Sequence, residues 1–378
     1  MNGFKAISQP AQNNFLAGKT TGALPFLEFG LGEDRLGGAK MTYLDTSIVI
    51  KVIDSTIINY KVQLSENHFA YLAKTSFIKD STINIRPYYL TSSWLVNGDE
   101  KYDYVTVSLD EKLPYRSIHQ VNPSRIIVDI FGATTNTNWI TQRSSAKEIK
   151  NAYYEQTEDD VFRIVIELKH AQHWGHSFYY QGKKLVIKIK RQPADLGLQK
   201  MKIAVDAGHG GDNNGASGGT TGIAEKKYTL LIAKELEKEL LGQKATVFMT
   251  RHKDTSLSMM ERIEMLKRED PDFLISIHLN ASNKDSIKGV STYYRYIGFR
   301  PLTQHILESM VQLGLNEFGN VGSFNFSLSG PTDYPNCLVE VAFLSNKEDE
   351  KLILDPEFHK AVACQIVDGI KKWLKACQ

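Results

Sequence analysis

Two histidines and two glutamates stand where side chains of those types do hydrolytic chemistry. Residues 201–222, MKIAVDAGHGGDNNGASGGTTG, read as a short apolar strand, Ile203-Ala204-Val205, running into a glycine-crowded loop with His209 at the strand's exit. Glycine there removes side-chain bulk and lets backbone approach a ligand or metal closely. Glu225 follows in the first turn of a helix whose apolar face is Tyr228, Leu231, Ile232, Leu236 and Leu240. A second apolar run, 273–281, carries His278 at its end, and a third, 337–346, carries Glu340 among apolar neighbours. A carboxylate in such a run is rare unless it is paired, hydrogen-bonded or metal-bound. Two histidines and one glutamate at strand exits are the ligand set of an open catalytic zinc site. The other glutamate would be the base that such a site needs.

The elements that must position these residues alternate. Strands are predicted at 201–206, 245–250, 273–278, 290–294 and 337–342, with helical stretches between them. That order implies an α/β domain with a largely parallel central sheet flanked by helices. Its last helix opens on Asp355-Pro356 and shows one apolar face through Phe358, Val362, Ile366, Ile370 and Trp373. In an open α/β sheet, ligands gather beyond the carboxyl ends of the strands, which is where His209 and Glu225 fall.

The chain ahead of this domain is β-rich. Residues 1–24 read as a loose arm, 25–90 as a small β-barrel of short strands, 91–190 as a two-layer β-sandwich and 191–200 as a polar linker to the 201–378 domain. His170, His173 and His176 form an H-x2-H-x2-H series. On a strand that spacing puts successive residues on opposite faces, so the series reads as an exposed turn rather than a metal site.

The composition sets broad limits. The 378 residues, 42% hydrophobic and 23% charged, are those of an ordinary globular protein, and a net charge of +2 calls for neither nucleic acid nor a membrane. No apolar run is long enough to span a bilayer, and the opening residues lack the apolar core of a signal peptide, as a cytoplasmic or a trimmed chain would. Three cysteines are too few for a disulfide framework; Cys337 reads as a small buried hydrophobe.

The blocks DAGHGG, EKKYTL, TRHKD, SIHLNA and LVEVAFLSN stand in this order over about residues 200–376. Together they resemble the zinc-dependent N-acetylmuramoyl-L-alanine amidases of the bacterial cell wall. The sequence departs from that family's usual pattern in two places, at Ala207 before Gly208-His209 and at Val341-Ala342-Phe343 after Glu340, without touching a proposed ligand. Residues 121–133, VNPSRIIVDIFGA, resemble the AMIN domain that precedes many such amidases. The runs GEDRLGGAKMTYLD and YKVQLSENHFAYLAK resemble bacterial Src-homology-3-like domains.

The resemblance implies that His209, Glu225 and His278 hold Zn²⁺ and that Glu340 is the general base. The substrate is then the amide between N-acetylmuramic acid and L-alanine of peptidoglycan. It further implies a periplasmic, envelope or secreted location, with the N-terminal β domains binding wall or envelope proteins. Asn280, directly after the strand's histidine, is a candidate substrate contact. Asp206 is a candidate partner for a ligand histidine, or else a loop-capping carboxylate. Arg251 and Arg262 match arginines recurring in the family, and Arg262 is expected to make salt bridges. The short stretch from Tyr296 to Leu302 leaves no room for the inserted helix that plugs the site in some family members. Two other readings compete: a zinc peptidase acting on stem peptides, and a non-catalytic wall-binding or activator protein.

Overall fold

Short segments with apolar residues at every second position form a curled sheet at the start of the described chain. A computed structural model of the chain describes residues 15–33 and 36–378. Seven strands between Leu16 and Lys79 form this sheet, each pair of neighbours antiparallel, with Lys40–Tyr43 at one edge and Phe77–Lys79 at the other. It is a half-barrel, with Leu27, Ile48, Ile50, Val62 and Leu72 buried on its concave side. The expected arm needs correction: its residues 1–14 lie outside the described residues, but Leu16–Thr20 is a strand that pairs with Val49–Ser55.

The next unit is the expected sandwich. One sheet orders Tyr115–Val121, Ser124–Phe131, Val161–Leu168 and Ile149–Glu158. The other is built around Tyr89–Gly98, Tyr102–Leu109, Lys184–Lys190 and His176–Gln181. Their inner faces meet through Trp94, 2% exposed, whose ring lies edge-on to Phe162 at 5.7 Å.

The C-terminal unit is an α/β domain with a mixed six-stranded sheet. Its order is Thr246–Met249, Lys202–Ala207, Phe273–Asn280, Asn336–Phe343, Val290–Tyr293 and Glu317–Val321. The first four run parallel, as expected; Val290–Tyr293 is antiparallel to Asn336–Phe343, and Glu317–Val321 runs parallel to Val290–Tyr293. The helix Glu225–Gly242 buries Tyr228, Ile232, Leu236 and Leu240, while Leu231, expected on the same face, is 39% exposed. The last helix, Pro356–Ala376, begins as its sequence indicates, with the Asp355 carboxylate accepting from Glu357 N–H at 2.9 Å. Phe358, Val362, Ile366, Ile370 and Trp373 are all buried along it.

The three units are joined by built contacts. The polar stretch between sandwich and α/β domain is tied down: Leu198 is buried in the α/β core, and Gln192 donates to the Cys377 carbonyl at 3.1 Å. Trp174 of the sandwich packs on Trp373 of the last helix at 5.1 Å.

The H-x2-H-x2-H series lies in this same joint and corrects the exposed-turn reading. His173 and His176 are each 1% exposed. They surround a third buried histidine, His119, whose ring stacks on His173 at 4.6 Å and on Tyr296 of the α/β domain at 5.0 Å. Only His170 faces outward, paired with Glu148 at 2.6 Å. Burial holds all three interior imidazoles neutral: His173 is pushed down to about 4 and His176 to about 3.

Candidate metal centre

The parallel strands Lys202–Ala207 and Phe273–Asn280 lie side by side and end together, so the loops leaving them meet. His209 comes from the first loop, His278 from the second strand, and Glu225 is the opening residue of the helix that follows the first loop. One ligand atom from each of His209, Glu225 and His278 lies within 4.8 Å of the others. The Glu225 carboxylate faces both rings, with Oε2 3.0 Å from His209 Nε2 and Oε1 3.0 Å from His278 Nδ1.

Two glycines make the space. A Cβ on Gly215, whose φ is +70°, would stand 2.4 Å from Glu225 Oε2. A Cβ on Gly208 would stand 2.4 Å from His278 Cε1. A side chain at Gly215 would press on Glu225 and His209, and one at Gly208 on the His278 ring.

The loop carrying His209 is held by two buried arginines. Arg251 donates to the Ala207 and Gly208 carbonyls at 2.9 Å each and to Lys226 O at 2.7 Å. Arg262 donates to Ala207 O at 3.0 Å and to His209 O at 2.6 Å, and its guanidinium pairs with Asp206. Asp206 also accepts from the Thr250 and Ser276 hydroxyls, both at 2.7 Å. Burial pushes the Asp206 carboxyl upward, but Arg262, His278 and these hydroxyls outweigh it and leave it ionised below its usual range. Among the described residues no hydrogen bond joins Asp206 to either imidazole; it is linked to the His209 carbonyl through Arg262. With this bracing His209 keeps φ +61°, a left-handed conformation unusual for a residue with a side chain.

The donor set fits a zinc ion. The Asn213 Oδ1 accepts from Gly215 N–H at 3.1 Å, so at 2.9 Å from His209 Nδ1 it must accept a second proton from that ring. This leaves the lone pair on His209 Nε2, the nitrogen facing Glu225. His278 Nε2 is buried with no hydrogen-bond partner among the described residues. Burial raises the Glu225 carboxyl, yet the hydrogen bonds and charges of the two histidines win and hold it well below the usual range. It is an anion between two imidazoles, the electrostatic arrangement that a divalent cation requires.

Glu340 lies on Asn336–Phe343 in direct register with His278 on the neighbouring parallel strand. Residues in register point to the same face, so this carboxylate stands beside the ligand set. Asn280 lies two residues beyond His278 and donates to the Tyr293 hydroxyl at 3.3 Å. The strand Val290–Tyr293 is followed by a short turn at Ile297–Phe299 and then the helix Arg300–Met310, and no additional helix lies between them. Two neighbours of the site had no legible sequence signal. They are Asn213, which sets the His209 tautomer, and Phe326, whose ring lies edge-on to His278 at 5.4 Å.

Comparison with known proteins shows what these segments are similar to. Residues 203–372 match the family model described as N-acetylmuramoyl-L-alanine amidase, and residues 95–191 match the AMIN domain. The chain is thus similar to cell-wall amidases over its C-terminal segment and to the AMIN domain over the segment ahead of it. It is 33% identical over 180 residues to the probable cell wall amidase LytH of Staphylococcus aureus, which is 47% of this chain and 60% of that protein. It thus spans 60% of the length of the curated relatives it matches first. Among solved structures, an N-acetylmuramoyl-L-alanine amidase from Clostridium difficile 630 is 30% identical, with 47% of this chain and 98% of that one covered and a TM-score of 0.46. The catalytic domain of CwlV from Bacillus (Paenibacillus) polymyxa is also 30% identical, over 46% of this chain and 98% of that one, with a TM-score of 0.45.

Proposed function

We propose that this protein is a zinc-dependent hydrolase that cleaves the amide bond between N-acetylmuramic acid and L-alanine of peptidoglycan stem peptides. The observation that carries the reading is the convergence of His209, Glu225 and His278 within 4.8 Å, with Glu340 in register beside His278. The match of residues 203–372 to the amidase family supports the choice of bond.

His209 Nε2, Glu225 and His278 would hold the metal. Bound there, zinc would supply Lewis acidity to a water and to the scissile carbonyl. Glu340 takes the proton from the attacking water and delivers it to the leaving amine of L-alanine. Arg251 and Arg262 keep the His209 loop in place while this happens, and Asp206 keeps Arg262 oriented. Asn280 contacts substrate at the strand's end. The AMIN domain and the curled N-terminal sheet, with its Src-homology-3-like sequence runs, bind wall or envelope proteins. The site of action is outside the inner membrane, in the periplasm or envelope; no helix among the described residues is long and apolar enough to cross a membrane.

The deciding experiment incubates the zinc-loaded chain with muramyl-peptide fragments and reads the products by mass spectrometry. Release of a stem peptide beginning at L-alanine, with the amino sugar intact, is the expected result. Cleavage within a stem peptide that lacks muramic acid would replace this reading with a peptidase. Wall binding without any turnover would replace it with a binding or activator protein.

A further inference from the structure

Phe326 is held against His278 by a device that belongs to two domains. Its neighbour Asn325 uses its whole side-chain amide on the N-terminal sheet and on Arg295. Oδ1 accepts from Lys40 N–H at 3.1 Å and from Arg295 Nη1 at 2.7 Å; Nδ2 donates to the Leu36 and Gly38 carbonyls at 3.1 and 2.8 Å. Arg295 Nη2 donates in turn to the Lys40 carbonyl. An amide has two donor protons and two acceptor lone pairs, and all four are engaged. The turn that carries Asn325 also holds Ser323 at φ +55°, a conformation kept only where surrounding contacts fix it.

The turn presents aromatic rings to the metal ligands. Phe326 lies edge-on to His278 at 5.4 Å and stacks on Phe324 at 6.3 Å. Phe324 packs on Tyr293 at 4.5 Å, and the Tyr293 hydroxyl accepts from Asn280. The row thus starts at His278 and ends at Asn280, two residues on along the same strand.

We propose that the N-terminal sheet is a working part of the cleft. Through Asn325 it fixes Phe324 and Phe326 as an aromatic wall beside the metal ligands, and this wall takes the apolar face of the substrate's muramyl ring. Asn325 is a positioning residue and touches no substrate. An aromatic face offers a pyranose ring a large rigid apolar surface with little entropy to lose, and the residues adjoining it, His278 and Asn280, sit where the scissile amide must lie. This inference rests on the muramyl-amide reading of the site and adds the element that selects the sugar side of the bond.

The test uses the full-length, zinc-loaded chain in a Glu340→Ala background, so that binding is read without turnover. Muramyl dipeptide is titrated by calorimetry into this parent and into three derivatives. Asn325→Ala and Phe324→Leu are expected to raise Kd about three- to tenfold. Thr332→Ala is the control: it removes a different interdomain hydrogen bond, Thr332 Oγ1 to the His176 carbonyl at 2.7 Å, and should leave Kd within twofold. With Glu340 present, Asn325→Ala should raise KM while kcat falls less than twofold. An unchanged Kd in Asn325→Ala and Phe324→Leu overturns the inference, as does an equal loss in Thr332→Ala, which would mark a merely structural contact. A parent without measurable affinity for muramyl dipeptide also overturns it. Should Asn325→Ala fail to fold, Phe324→Leu alone decides. Failure of the amidase reading is separate and shows as absence of cleavage by the chain with Glu340 intact.

Discussion

His278 and Glu340 stand directly opposite each other on neighbouring parallel strands. One strand brings an imidazole and the next a carboxylate to the same face at the same depth. Under the proposed function metal binding and proton transfer fall to different residues, so the two should be removable independently.

Glu340→Gln keeps the shape of the site and removes the proton acceptor. We expect zinc stoichiometry near that of the parent and a fall in amide hydrolysis of roughly 10²- to 10⁴-fold, the range for loss of a positioned general base. Metal content by elemental analysis and turnover of a muramyl peptide check it. Retained turnover would remove Glu340 from the mechanism.

Gly215→Ala should do the reverse. Its Cβ would fall 2.4 Å from Glu225 Oε2 in a backbone at φ +70°, so the ligand must move. Expected is a protein that folds and melts cooperatively but has lost most of its zinc affinity, measured by competition with a chelator. Treatment of the unaltered chain with EDTA should abolish hydrolysis, and added zinc should restore it.

Arg262→Ala removes the charged partner of Asp206 in a site where both are 1% exposed, leaving that carboxyl only the Thr250 and Ser276 hydroxyls. Breaking such a buried pair costs about 3–5 kcal/mol, and the denaturation midpoint should fall accordingly. Removing Asp206 as well should recover part of the loss. A change under about 1 kcal/mol in the single variant would show that the pair does not brace the loop.

Acid should weaken the joint between sandwich and α/β domain. In the unfolded chain each histidine takes up a proton near pH 6.5, whereas His173 and His176 stay neutral in the fold down to about 4 and about 3 because they are buried. The unfolded state therefore binds more protons below pH 6.5, and folding stability falls as the pH drops through that window, by about 1.4 kcal/mol per pH unit for each histidine. His173→Gln should flatten the dependence of stability on pH between about 6 and 4. An unaltered slope, measured by urea unfolding at several pH values, would refute the assignment.

Where contacts were local or strand-periodic, the sequence was readable. The run 273–279 is apolar because both faces of its strand are buried, and Asp355-Pro356 marks a helix start by chemistry confined to one turn. Glu317–Val321 was missed because it lies at the sheet edge, is largely exposed and contains Gly319 at φ +139°, so it shows no apolar alternation. Leu16–Thr20 was missed for a similar reason: LAGKT has few apolar residues and is a strand only because Val49–Ser55 pairs with it. The histidine series was misread because His119, Tyr296 and Phe299, which bury it, are distant in sequence. At the site, the ligands announced themselves through glycine and strand-end placement, whereas Phe326 is an ordinary aromatic until the fold brings it to His278.

The bonds from Arg251 and Arg262 to the carbonyls of residues 207–209 bear on when the metal arrives. They hold the His209 loop by the chain's own groups, so taking up the ion need not organise any backbone. Small zinc domains couple metal uptake to folding. Under the proposed zinc reading the two events would be separable in time: the polypeptide would reach its final shape before any metal is bound.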